Sequence, residues 1–497
     1  MRQLLVVAPA IAALTFAACR DKSAAPSPGA TATGSAAASG AASTGTGSGA
    51  GAGSGSAAAD PWSASAAPKP PDTPESRRQR AEAALGRVAA IKPEVARLRA
   101  LAFSREVPTN YQPAAEFRTF VRREIARELP PERSRNMSAA YAHLGFLVKP
   151  LDVATVVEQA MTTQAGAYYD PAAKALFLVM VPESELMLDT ISAHELTHAL
   201  QDQHFDLTRY LPSDRSLDDD AATARRFVAE GDATLVMMLY TMRALGGDGQ
   251  SPALVSQLRR RIAKLAALDI DALKAQSKAQ SALFGGMDGE IKKSIDAMDE
   301  IPPIVLVPLL DAYMKGALVV LTAYEHGGWP SVDALYRDPP ASTEQVLHPD
   351  TKLVGARERP RRVTLARTSE PKLADNVVGE LQWQVYFQLW KSPGAAEAAA
   401  GWGGDHYTVI RRKDGRLIGR IATIWDTADD AQQFADAYLA SLAARFPGAA
   451  PGQPAAGIAR PDGGRVFVRT VGAKVFIVDG ADDARALDAV VRTTTFE

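Results

Sequence analysis

Apolar residues recur at three- and four-residue intervals over much of the chain from Glu75 to about residue 364, and strand-like runs become frequent only beyond it. The spacing predicts a basic, Ala-rich helix over 75–103 and short helices around 113–128, 137–146 and 151–163, punctuated by Pro130, Pro131 and Pro150. Residues 167–171 read as a turn and 174–181 as a short strand. Helical spacing returns where Met187 pairs with Ile191, and Leu196 with Ala199 and Leu200; a second helical run is expected from about Asp218 to Leu245. Within that run Gly231 costs about 1 kcal/mol against Ala, which predicts that another element packs closely there. A strongly apolar segment at 311–321 is broken at 325–330, a short helix (331–337) follows, and Ser342 is placed to cap another.

From about residue 365 the pattern is mixed. Residues 407–425 predict a hairpin with Asp414-Gly415 as a two-residue turn, and Thr427 to Asp430 match a capping box that opens a helix to about Ala444. A Pro/Gly/Ala loop (447–457), a second hairpin (465–478) and a last helix (482–491) follow. The expected fold class is α+β: a mostly helical domain over 73–364 with a short-stranded sheet, then a small α+β domain over 365–497, large enough for its own core.

Composition changes the picture at the N-terminus. Arg2 precedes an apolar run from Leu4 to Ala18 that is too short to span a membrane permanently and reads as a signal peptide over 1–18. It ends in two alanines before Cys19, and this small pair followed by Cys resembles the lipobox of bacterial lipoproteins, with Phe16 where that pattern has Leu. The resemblance implies lipidation at Cys19, the only cysteine in the chain and so one without a disulfide partner. Residues 19–72, mostly Ala, Gly, Ser, Thr and Pro beyond Cys19, form a flexible tether with little to build a core. Together these imply a bacterial cell-envelope protein anchored to a membrane through lipid. A formal net charge of -2 and the lack of any nucleic-acid motif make the basic helix a solvated face, and no nucleic-acid partner is expected.

The candidate chemistry lies at 191–198, where His194, Glu195 and His198 form an H-E-x-x-H pattern. On a helix the two His stand about 40° apart and offer two nitrogens to one ion. With 7 His in the chain, chance would produce the pattern in about one such sequence in two hundred. A strand, a turn and then this helix resemble the zincin metallopeptidases, which implies Zn2+ as cofactor, Glu195 as general base and a peptide or protein substrate. For the third ligand, His204 has metzincin spacing, but Gln201 stands where that pattern needs Gly, and on an unbroken helix His204 lies about 120° from His198. Glu230, followed by Gly231 in a second helix, is similar to the ligand helix of gluzincins and is the expected metal ligand. Asp202 and Asp232 are candidates to orient ligand imidazoles. His348 is the candidate to stabilise the oxyanion, with Tyr313 and Tyr324 competing. The strand with Lys174, Leu176 and Leu178 is expected to be a sheet edge that pairs with extended substrate. The alternative from another class is a non-catalytic, zinc-stabilised envelope lipoprotein that binds proteins or cell-wall polymers.

Overall fold

Prolines and glycines set where the helices begin and how closely they pack. The structure, a computed structural model, describes residues 5–7, 73–163, 165–182, 184–214, 216–247, 251–268, 272, 275, 296–448 and 457–497. Apart from Leu5–Val7, the signal segment, Cys19 and the tether therefore lie outside the described residues. The fold is α+β, as expected.

In chain order the first part comprises β1 (Leu5–Val7), α1 (Pro74–Arg99), β2 (Thr109–Tyr111), α2 (Ala114–Glu128), α3 (Pro131–Leu144), α4 (Val153–Thr163), β3 (Ala167–Asp170) and β4 (Ala175–Leu178). It continues with α5 (Glu185–Phe205), α6 (Leu207–Tyr210), α7 (Asp219–Ala244), α8 (Pro252–Ala266), α9 (Pro303–Arg337) and α10 (Thr343–Leu347). Helix α3 starts six residues before its expected position, because Pro131 occupies the first helical position, where a missing N–H costs nothing. Residues 167–170 are strand rather than turn; the turn falls one step later, at Pro171 to Lys174, with Lys174 in the left-handed region.

The first sheet has the order β1-β3-β4-β2. Strand β4 pairs antiparallel with β3 and parallel with β2, so the strand of Leu176 and Leu178 is interior and not the expected edge. Both of its backbone rows are taken, and both leucines are fully buried. The outer side of β3 carries β1, running antiparallel.

Helices α1, α5, α7 and α9 share one core. The predicted close approach at Gly231 is real: a Cβ there would lie 2.1 Å from the carbonyl carbon of Gly316 in α9. Helix α9 has the length and apolar character of a membrane span, but its most apolar stretch is mostly buried inside this core. It kinks at Gly327 and Gly328, where the sequence predicts a break, and resumes to Arg337.

The second part comprises β5 (Val363–Thr364), β6 (Lys372–Asn376), α11 (Gly379–Leu389), β7 (Trp402–Arg411), β8 (Leu417–Trp425), α12 (Ala428–Arg445), β9 (Ile458–Ala459), β10 (Arg465–Val471), β11 (Lys474–Ala481), α13 (Arg485–Thr493) and β12 (Thr495–Phe496). Its six-stranded sheet has the order β6-β7-β8-β11-β10-β9, with every pair antiparallel. The β7–β8 turn is longer than expected: Arg412 and Arg416 close it, and Gly415 adopts φ 87°, the three-residue loop with a left-handed last residue. The Thr427–Asp430 capping box opens α12 as predicted.

Candidate metal centre

Ser184 starts α5 by accepting the Met187 N–H at 3.3 Å, and the helix then runs unbroken to Phe205. Every residue from Leu188 to Asp202 is buried, polar ones included. Burying polar groups is costly unless each finds a partner, so their partners reveal what the helix is built to hold.

Within α5, His194 and His198 face Glu230 of α7. His194 Nε2 lies 3.1 Å from Glu230 Oε2 and 3.0 Å from His198 Nε2, and His198 Nε2 lies 3.5 Å from the same carboxylate oxygen. Ligands at about 2.0–2.1 Å from a tetrahedral ion stand about 3.3 Å apart, so these three atoms suit three corners of such a shell. His194, His198 and Glu230 thus form a group able to hold a metal ion, the only such group of His, Cys, Asp and Glu found among the described residues.

Burial pushes His194 down to about 4, which leaves a neutral imidazole near neutral pH. Burial alone would raise Glu230, but the hydrogen bonds from His194 and His198 outweigh it and bring the carboxyl to about 2. Neutral imidazole and ionised carboxylate are the forms a metal takes. Burial opposes a charge on His198 too, yet the Glu230 carboxylate beside it raises its pKa overall.

Around this group, Glu195 is fully buried and its Oε2 accepts the backbone N–H of Tyr169 in β3 at 2.7 Å. Tyr313 of α9 sets its ring 5.8 Å from that of His194, and burial together with the Glu230 and Glu195 charges keeps its hydroxyl protonated. His198 Nδ1 lies 2.9 Å from Gln201 Oε1, and Gln201 Nε2 donates to Asp232 at 3.2 Å. Asp232 therefore reaches the His198 imidazole through Gln201.

The other candidates fall elsewhere. His204 ends α5 with Nε2 2.8 Å from the Ala102 carbonyl, off the ligand face as the unbroken helix requires. Asp202 takes hydrogen bonds from Tyr169, Lys174 and Leu207 instead of orienting an imidazole, so Lys174 serves the β3–β4 turn. His348 is not brought to this site: it follows α10 and sets Nε2 2.9 Å from Glu380 of α11. Of the two competing tyrosines, Tyr313 lies by His194 and Tyr324 packs edge-on against Trp329.

Sequence reasoning missed Gln201 as a partner of His198, although its i+3 spacing on the helix face was a signal. It also missed Tyr169 and Arg99, which meet the site through contacts 26 and 133 residues apart in sequence and leave no local trace.

A family model described as a domain of unknown function (DUF8575) matches residues 366–491, about a quarter of the chain, from just before β6 into α13. No curated protein and no solved structure matches this chain.

Proposed function

We propose that this chain is a zinc-dependent endopeptidase, held at a bacterial envelope membrane by a lipid on Cys19. The observation that carries the reading is the position of Glu195, one residue from His194 in a helix whose two imidazole Nε2 atoms stand within 3.5 Å of Glu230 Oε2. Two His and one Glu are a donor set of catalytic zinc, and a zinc ion bound there supplies a Lewis acid that brings a water pKa to about 7. Glu195 is the proton acceptor, and the Tyr169 N–H orients its carboxylate through one oxygen. Tyr313 offers a neutral O–H to an oxygen that gains charge.

An extended substrate would pair with the outer side of β3 rather than with the interior β4. That side already accepts an antiparallel segment, Leu5–Val7, which lies within the stretch read as a removable signal. Backbone pairing reads extended shape, so unfolded chains and loops are the expected substrates. One observation favours the rival reading of a metal held for stability: His194, Glu195 and His198 have no exposed surface, so substrate reaches them only if a covering element moves.

Zinc-loaded full-length protein is expected to cleave an unfolded, casein-like chain and to stop when zinc is chelated. Intact substrate alongside stoichiometric zinc would overturn the peptidase reading in favour of the rival. In the same preparation, Glu230→Ala is expected to strip or weaken the zinc while His204→Ala leaves it bound, as metal stoichiometry would report. For the anchor, buried acyl CH₂ groups contribute about 0.8 kcal/mol each, so Cys19→Ser should release the protein from the membrane fraction or leave it unprocessed. Unchanged fractionation without acyl labelling rules the anchor out.

A further inference from the structure

We infer that Gln201 is a positioning residue that keeps a hydrogen on His198 Nδ1, so that Nε2, the nitrogen that faces Glu230 and His194, is the one left to a metal. This rests on the metal-site reading of His198, and it follows from where the Gln201 amide is able to point. The side chain is fully buried and each of its ends has a partner. Its nitrogen faces the Ala229 carbonyl at 2.9 Å and Asp232 Oδ2 at 3.2 Å. A carbonyl oxygen only accepts, and Asp232 is also committed to accepting, from Arg99 Nε at 2.8 Å and from the Tyr336 hydroxyl at 2.8 Å. Flipping the amide would set an oxygen against both acceptors. The NH₂ end therefore stays on that side, and Oε1, an acceptor, faces His198 Nδ1 at 2.9 Å. His198 must then donate from Nδ1.

The relay behind Gln201 is anchored well away from α5. Arg99 sits at the end of α1, is fully buried, gives a second hydrogen bond to Asp333 at 2.7 Å and stacks over Trp329 at 4.5 Å. Asp232 belongs to α7, and Asp333 and Tyr336 belong to α9, so three other helices hold the amide in one orientation. The two imidazoles differ in this respect: His194 Nδ1 is buried with no hydrogen-bond partner. The tautomer lock falls on His198 alone.

The test reads the tautomer directly, without metal. In the full-length, metal-free protein with ¹⁵N-labelled histidine, long-range ¹H–¹⁵N spectra should show a hydrogen on His198 Nδ1. Gln201→Leu should remove that preference. It should also weaken zinc binding about ten- to a hundred-fold in chelator competition, the usual cost of losing such a partner. The visible spectrum of the Co(II)-loaded variant should change as well, and its metal-free melting temperature should fall, because the Ala229 carbonyl and His198 Nδ1 lose a buried partner. If Gln201→Leu does not fold, Gln201→Met, which keeps the length of the side chain, takes its place. An Nε2–H tautomer in the parent protein overturns the inference, and so does a folded variant with parental zinc affinity and Co(II) spectrum. Because the parental tautomer is read without metal, a parent that takes up no zinc would sink the peptidase reading while leaving this assignment decided on its own evidence.

Discussion

Glu195→Gln is expected to retain zinc and the fold while cleavage of an unfolded chain falls by about a hundred- to ten-thousand-fold, the usual effect of removing a positioned acid–base group. Glutamine has the shape of glutamate, and its amide oxygen is able to accept the Tyr169 N–H that Glu195 Oε2 now accepts at 2.7 Å. The side chains of His194, His198 and Glu230 are untouched. What disappears is the ability to take a proton, because an amide is not a base near neutral pH. Stability should not suffer either, since the change removes a carboxylate from a site with no exposed surface, where desolvation penalises charge. Zinc content, melting temperature and kcat/KM measured on one preparation separate these effects. Equal turnover by the variant and its parent would remove Glu195 from the mechanism.

Parts of this architecture that depend on local spacing were legible in the sequence. His194 and His198 share a helix face because four residues nearly complete a turn, and Gly231 marked a close contact, while Glu230 was singled out by the resemblance of its segment to a gluzincin ligand helix. The break at 325–330 and the capping box at Thr427 were equally local signals. The order of the first sheet was not legible. Whether the strand of Leu176 is an edge depends on β2, whose Thr109 to Tyr111 pair with Leu176 to Leu178 from 67 residues upstream. A fully paired strand between two neighbours reads as a short apolar run whichever strand lies outside it. His348 failed for a related reason: the choice between it and Tyr313 depends on which helix crosses α5, and Glu380, its actual partner, carries no sign of the pairing in the sequence.

Gly231→Ala should lower the melting temperature and weaken zinc binding together, even though helix propensity alone favours alanine by about 1 kcal/mol. A Cβ at residue 231 would lie 2.1 Å from the carbonyl carbon and 2.2 Å from the carbonyl oxygen of Gly316. Both are backbone atoms of α9, so no side chain is free to swing aside, and the two helices must separate by more than an ångström. Gly316 has the same difficulty from its own side, where a Cβ would stand 2.3 Å from the Phe227 carbonyl oxygen. Overpacking a filled core typically costs about 1–3 kcal/mol, which exceeds the propensity gain, so the net sign is destabilising. A cooperative unit of about 150–250 residues loses about 2–4 °C in melting temperature per kcal/mol, and a larger one less. The metal site should register the shift because Glu230 precedes Gly231 on α7 and Tyr313 lies three residues before Gly316 on α9. Gly316→Ala should reproduce both effects. A Gly231→Ala protein that melts at or above the parental temperature, with parental zinc affinity, would mean that α7 and α9 do not meet backbone to backbone, and the placement of Glu230 against the two His would lose its structural basis.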